Sequence, residues 1–252
     1  MIIQQPKKFK ILLVGDNCTD VYQYGTVDRI SPEAPVPIFK FSYQETKQGM
    51  AGNVLNNLLK LNCTVDFITT GDTSIKTRII DIRTKQQLLR IDNDVESNII
   101  SISKFTDLNY DAIVISDYNK GAVSYELIHY LRKHFDGPMF LDTKKPDIAQ
   151  FYGIYVKINE LEFKNRHSIN DSLIVTLGSK GAMYNADKFY PTPIVEVSDV
   201  CGAGDTFLSA LTYKFLEIND IDQAIMFANK AASITVQKIG NYAPSIEEIT
   251  ND

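Results

Sequence analysis

Short, nearly all-apolar runs alternate with segments of helical period along this chain, and that alternation restricts the fold more than any other feature. KILLVG (residues 10–15) is apolar almost throughout and stops at Gly-Asp, as a parallel strand buried on both faces does. Residues 51–61 then place Val54, Leu55, Leu58, Leu59 and Leu61 at helical spacing. TVDFITT (64–70) is a second strand, again followed by Gly-Asp at 71–72, and DAIVIS (111–116) a third. Residues 123–135 form a helix with Leu127, Ile128, Leu131 and Phe135 inward and Ser124 as its cap. Strands follow at 139–141, 154–158, 172–176 and 194–197. Two helices close the pattern, one carrying Phe207, Leu208, Leu211 and Phe215, the other running over 221–239, and Ser245 with Glu248 forms a capping box. Strand–helix alternation of this kind predicts an α/β fold, an open and mostly parallel sheet flanked by helices, with ligands bound at the carboxyl ends of the strands. PVPIFKFSY (35–43) and KTRIIDIRTKQQLLRI (76–91) break the alternation, and they read as ribbons of a small separate sheet that covers the site. A single domain of 252 residues is expected, with a lid formed by about 22–48 and 76–92 inserted in it.

Composition removes several classes of function. The net charge is −5 and no Lys/Arg run exceeds two residues, which argues against nucleic acid as a partner. No run of 18 apolar residues predicts a membrane span, and the opening MIIQQPKKFKILLVG lacks the order of a secretory signal. Cys18, Cys63 and Cys201 are scattered and odd in number, and His129, His134 and His167 have no metal-ligand spacing. This pattern fits a reducing cytoplasm without a structural disulfide or zinc site.

The chemistry concentrates in DVCGAGDTF (199–207). A strand ends, the chain turns through Gly202, Ala203 and Gly204, and an amphipathic helix begins. Glycines let backbone N–H groups approach a ligand closely, and the helix N-terminus adds partial positive charge at the same place. The result is an anion hole suited to a phosphoryl group in transfer. Asp205 sits on the first helical turn, either as a cap or as a base beside the hole. Two glycines upstream favour the base, because a cap does not need them.

DVCGAGDTF resembles the D-T-x-G-A-G-D signature of the ribokinase-like (PfkB) carbohydrate kinases, and the resemblance runs over nearly the whole chain. LLVGDNCTD (12–20) is similar to the family's first strand, QGMAGNV (48–54) to its G-G-x-x-N segment, and NELE (159–162) to N-x-x-E. TLGSKGA (176–182) resembles the turn beside the ATP phosphates, and FANKAAS (227–233) the helix near the adenine. RISPEAPVPIF (29–39), together with KTRII…QQLLRID (76–92), SDYNKG (116–121) and LDTKKPD (141–147), resembles the bacterial heptose-7-phosphate kinases, the first half of a bifunctional enzyme of ADP-heptose synthesis.

The resemblance implies a ribokinase-like fold and an ATP- and Mg2+-dependent phosphotransferase that gives heptose 1,7-bisphosphate from a heptose 7-phosphate. It implies that Asp205 is the base, and that Gly202, Ala203 and Gly204 hold the phosphoryl group through their N–H groups. Asp16, Asp20 and Asn53 would bind sugar hydroxyls, and Arg90, Lys120 and Lys144 the substrate's own phosphate. Thr176, Gly178, Gly181 and Asn229 would line the ATP site, while Asn159 and Glu162 would support Mg2+ through its waters. Partners implied are a small sugar phosphate and a second copy of the chain, joined through the lid.

The chain also departs from the family. Met50 stands where the hinge has its second Gly, a costly exchange if that position needs φ > 0. Cys201 replaces the usual Thr, and a thiol near a helix N-terminus is expected to have a lowered pKa and to inactivate the enzyme when oxidised. A βα unit between Asp72 and Lys76 is missing, so one sheet edge is expected to be shortened or differently covered. No nucleotidyltransferase domain follows, so that step is expected on another chain. A kinase of another sugar or nucleoside, or a non-catalytic sugar- or nucleotide-binding relative, remains compatible with the sequence.

Overall fold

A computed structural model describes residues 8–71 and 73–251; the first seven residues, Asp72 and Asp252 lie outside the described residues. Eight strands form the main sheet in the order β12-β11-β10-β9-β8-β7-β1-β4. They are β1 (Lys10–Gly15), β4 (Thr64–Ile68), β7 (Ala112–Asp117), β8 (Met139–Thr143), β9 (Tyr155–Asn159), β10 (Leu173–Thr176), β11 (Ala182–Tyr184) and β12 (Lys188–Tyr190). From β4 to β10 all neighbours are parallel, and β11 and β12 add an antiparallel edge.

The apolar strands read from the sequence are those buried on both faces. Along β1, Ile11 and Leu13 pack with helices α1 (Ala51–Lys60), α4 (Ala203–Ile218) and α5 (Ile221–Thr235). Leu12 and Val14 point the opposite way, toward α2 (Tyr125–His134). Ser124 caps α2 by accepting the Leu127 N–H, and Ser245 and Glu248 form the expected capping box on α6 (Ile246–Thr250). Among the described residues no helix is long and apolar enough to cross a membrane.

A second, four-stranded sheet has the order β3-β2-β5-β6. It is built from β2 (Asn17–Ile30), β3 (Pro37–Met50), β5 (Ser74–Asp81) and β6 (Gln87–Asn93). Both expected ribbons are there, and β2 joins them as a long central strand. Its register sets Asp20 between Lys47 of β3 and Lys76 of β5. The chain passes from β4 directly into β5, and β4 is the edge strand of the main sheet.

Two readings are corrected. Residues 194–197 form no strand: Ile194 is fully exposed and Val197 half-exposed, and their apolar side chains border an open cleft, not a core. The second C-terminal helix stops at Thr235.

Met50 does carry the strain its position suggested. It has φ 51° and ψ −131° where β3 turns into α1, a backbone region that glycine occupies far more readily than other residues. Because Met50 is also buried, replacing it by either Gly or Ala removes the same packing, and only Gly relieves the backbone. Met50→Gly is therefore expected to be more stable than Met50→Ala by about 1–3 kcal/mol in urea unfolding, and equal midpoints would refute the strain.

Candidate active site

The carboxyl ends of β1, β7, β8 and β9 deliver Asp16, Tyr118, Asp142 and Asn159 to one edge of the sheet. Helix α4 points its N-terminus at the same edge. Its cap is Gly202, with φ 76° and no side-chain hydrogen bond, so the helix starts without a polar cap. The N–H groups of Gly204 and Asp205 have no acceptor among the described residues, while that of Ala203 makes a long 3.3 Å turn bond to Val200. Free N–H groups at a helix N-terminus attract an anion.

The two glycines serve different ends. Gly202 needs its positive φ, and a Cβ there would meet Asn53 Nδ2 at 2.7 Å. Gly204 needs space: a Cβ would meet Lys157 Nζ at 2.8 Å. Lys157, from the apolar strand β9, thus brings a buried ammonium directly beneath the glycine turn. It pairs with Asp142 at 2.7 Å. Burial opposes the charge, but Asp142 outweighs it and raises the Lys157 pKa. Nothing in YVKIN marked this lysine as part of a site.

Asp205 is not a cap. Its Oδ2 accepts from Asn53 Nδ2 at 2.8 Å and its Oδ1 from the Tyr118 hydroxyl at 2.9 Å. It is 5% exposed, and burial raises its pKa to about 6 against the lowering effect of the Asn53 bond. Behind it a buried polar chain fixes Asn53. Asn57 donates to the Asn53 carbonyl at 2.8 Å, Thr206 donates to Asn57 at 3.0 Å, and Thr235 donates to Thr206 at 3.0 Å.

The residues expected to meet the acceptor divide. Asn53 reaches Asp205. Asp16 sits at the edge but is fully buried, and its carboxylate is taken up by the N–H groups of Tyr118, Lys120 and Ala122 at 2.8, 3.2 and 3.1 Å. It holds the loop after β7 in place, two of the N–H groups on Oδ2 and one on Oδ1. Asp20, on the inner face of the lid, is paired with Arg78 and accepts from Asn241 Nδ2 at 3.0 Å. Arg90 pairs with Asp92 at 2.8 Å and Lys120 with Asp94 at 2.6 Å, so neither offers a free charge. Lys144 has no ion-pair partner among the described residues, and its ammonium lies 4.7 Å from the centroid of the Tyr118 ring.

Cys201 also differs from expectation. Burial raises its thiol pKa, and the nearby Arg78 guanidinium only partly offsets this. Its Sγ lies 3.1 Å from Asn241 Oδ1 and 3.6 Å from Arg78. It is a half-buried contact between lid and body, not an activated nucleophile.

A cleft beside the turn is lined by Thr176, Gly178, Ala203, Phe207, Asn229 and Val236, with the apolar 194–197 segment as its lip. The turn between β10 and β11, with Gly178 and Gly181 at φ 60° and 106°, also lines this cleft. Asn229 uses its side-chain NH2 to hold the carbonyls of Tyr190 and Pro191 at 3.0 and 3.3 Å.

Asn159 and Glu162 form a capping box on α3 (Glu160–Asn165), each engaging the other's backbone N–H. One oxygen of Glu162 and one of Asp142 accept no hydrogen bond among the described residues. Burial raises the Glu162 pKa, and Asp142 adds to the rise. No three His, Cys, Asp or Glu side chains among the described residues gather as a direct metal nest. Two mutually repelling carboxylates at the mouth of a phosphate-sized anion hole suit a hydrated divalent ion that is held largely by the nucleotide.

Comparison with known proteins agrees with this geometry. A family model described as pfkB family carbohydrate kinase matches residues 157–248. The bifunctional protein HldE of a Nitratiruptor species is 32% identical over 96% of this chain and 64% of its own length. That of Helicobacter pylori is 30% identical over 95% of this chain and 65% of its own. The chain thus spans somewhat under two thirds of these relatives. The first alignment extends over 300 positions, more than the 252 residues here, so the relatives carry segments this chain lacks. Among solved structures, Arabidopsis thaliana ribokinase complexed with ribose and ATP superposes with a TM-score of 0.71 at 17% identity, covering 98% of this chain and 100% of the other. Escherichia coli phosphofructokinase-2 in complex with potassium gives 0.73 at 15% identity, covering 96% and 97%. The fold is therefore ribokinase-like across nearly the whole chain. The family model falls on the segment that carries the glycine turn and Lys157, so residues 157–248 match the pfkB family of carbohydrate kinases within a ribokinase-like fold.

Proposed function

We propose that the protein is an ATP-dependent kinase that moves the γ-phosphoryl group of ATP to the anomeric hydroxyl of a heptose 7-phosphate. The observation that carries this reading is Asp205, a buried carboxylate with a pKa near 6, placed beside unpaired N–H groups at the start of α4. A base with that pKa is ionised at neutral pH and still able to take a proton. Asp205 removes the acceptor's hydroxyl proton, the new O–P bond forms, the bond to the β-phosphate breaks, and ADP leaves. The N–H groups of Gly204 and Asp205 and the Lys157 ammonium face the charge on the phosphoryl oxygens. A bound Mg2+ would neutralise nucleotide charge, with Asp142, Glu162 and Asn159 as the residues fitted to hold its shell. The heptose assignment rests on the lid and on the HldE relatives.

ADP release should be followed with Mg·ATP and a panel of heptose 7-phosphates of both anomeric series, ribose, fructose 6-phosphate and adenosine. Turnover confined to heptose 7-phosphates fits the proposal. Turnover with another member alone retains the kinase and discards the heptose.

The cytoplasm is the proposed location, and a second copy of the chain the proposed partner. The lid face opposite Asp20 and Lys76 bears Val21, Ile75, Ile79, Leu89 and Ile91, interspersed with Thr19, Gln23, Thr46 and Thr77. Ile75, Leu89 and Ile91 are 40–53% exposed. Light scattering is expected to give a dimer, and Ile91→Asp a monomer; a wild-type monomer at micromolar concentration would refute this.

A further inference from the structure

We propose that Asn241 is a positioning residue of the transfer reaction: it ties Asp20 on the lid to the glycine turn on the body, so that the two sides of the site keep one spacing. This rests on the kinase reading and deepens it. Asn241 is half-buried in the segment between α5 and α6, remote in sequence from both sides. Its Nδ2 donates to Asp20 Oδ2 at 3.0 Å and to the Gln48 carbonyl at 3.1 Å. Its own carbonyl accepts from Lys47 Nζ at 3.5 Å. These three partners belong to lid strands β2 and β3. Its Oδ1 accepts from the Cys201 thiol at 3.1 Å, and a Cβ on Gly202 would meet that same oxygen at 3.1 Å.

The segment that carries Asn241 is anchored on the body on both sides. Asp199 joins it to the glycine turn: Oδ2 accepts the Gly240 N–H at 2.8 Å and Oδ1 the Cys201 N–H at 2.9 Å. After Asn241, the Tyr242 carbonyl accepts from the Thr206 and Thr235 hydroxyls at 3.4 and 3.2 Å. The side chain thus reaches the lid from a fixed base. On the lid, the other oxygen of Asp20 is held by Arg78, whose guanidinium lies 3.6 Å from the Cys201 Sγ. Asp20, Arg78, Cys201 and Asn241 close a circuit of side chains, two from the lid and two from the body.

An amide suits this place and a carboxylate does not. Asp20 and the Gln48 carbonyl are acceptors and need a donor opposite them, whereas the Cys201 thiol brings a proton and needs an acceptor. Asparagine supplies both from one planar group. An aspartate of the same size would set two carboxylates against each other. The bond to Asp20 is charge-assisted, and it joins the acid proposed to meet the sugar to the turn proposed to hold the phosphoryl group. When it is lost, hydroxyl and phosphoryl group are no longer held at one spacing, and a misplacement of about 1 Å costs about 10²-fold in rate.

Wild type, Asn241→Ala and the isosteric Asn241→Asp are compared, each alone and combined with Asp20→Ala. Turnover of a heptose 7-phosphate with Mg·ATP is measured, and amide hydrogen exchange is followed without ligands. Asn241→Asp is expected to lower kcat/KM for the acceptor by about tenfold or more, the scale of one charge-assisted hydrogen bond, and by at least as much as Asn241→Ala. In the Asp20→Ala background the same change should cost much less, because the residue it acts through is gone. Exchange should quicken together in residues 17–20 of the lid and 199–204 of the turn. An Asn241→Asp protein with wild-type kinetics, or losses that simply multiply with those of Asp20→Ala, overturns the positioning role and leaves the kinase reading intact. If no sugar is turned over, the kinase reading fails by itself and exchange decides: joint loosening of both segments supports the tie, and loosening of one or neither overturns it.

Discussion

Asp205→Asn is expected to lower kcat by about 10²–10⁴ and to make the protein more stable at neutral pH. The first effect follows from loss of the base. The second follows from burial. The Asp205 pKa is raised from 3.8 to about 6, so the fold favours the protonated acid. That stabilising contribution is complete below the unfolded value near 3.8 and is lost as pH rises through about 6. Above it, an ionised carboxylate costs up to about 3 kcal/mol, at 1.36 kcal/mol per pKa unit. The neutral amide avoids the cost, so the gap in melting temperature between mutant and wild type should widen from pH 4 to pH 8. In the wild type, kcat/KM should rise through pH 6 as Asp205 ionises. Tyr118→Phe removes a hydrogen bond that favours the charged form, and should move this limb to higher pH. An active Asp205→Asn protein would remove Asp205 from the role of base, and a gap in melting temperature that does not change with pH would remove its raised pKa.

What the sequence disclosed depended on where each side chain spends its polarity. β1 and β7 were legible because both faces are buried and their runs are nearly all apolar, and β9 because only Lys157 interrupts its apolar run. β2 was hidden as a strand: its inner face mixes Cys18, Asp20 and Tyr22, so it has no simple alternation of apolar and polar residues. β11 and β12 have three residues each, too short for any period to show. Residues 194–197 misled in the opposite sense, since valine and isoleucine at the lip of a cleft look like strand residues in a core. The glycine turn, Asp205 and Asn53 were found because they are consecutive or near-consecutive in local motifs. The backbone bonds of Asp16 were not legible, because an acid after a strand looks the same whether it meets a hydroxyl or three backbone amides. Tyr118, Asp142, Lys157 and Asn241 could not be assigned roles in this way. Their meaning comes from contacts across β7, β8, β9 and the chain after α5, which no spacing encodes.

Lys157→Met is expected to damage both activity and stability, and the two losses can be separated. In the wild type the ammonium lies between Asp142, Gly204 and Asp205, in a site where water does not screen it. Its removal takes away positive charge beside the phosphoryl position, for which a fall of about 10²–10³ in kcat is the usual scale. It also leaves Asp142 without its partner in a side-chain environment only 14% exposed, which costs about 3–5 kcal/mol when a buried pair is broken from one side. A third consequence is specific to this geometry. Lys157 lowers the Asp205 pKa, so its loss should move the acid limb of kcat/KM upward from about 6. Adding Asp142→Asn removes the stranded charge. The double variant should therefore recover most of the stability, since the two side chains couple directly, but none of the activity. If the double variant regained turnover, Lys157 would be only a counterion to Asp142. If its turnover stayed well below that of Asp142→Asn alone, with a restored melting temperature, the ammonium itself stabilises the phosphoryl group in transfer, and the glycine at position 204 is there to admit it.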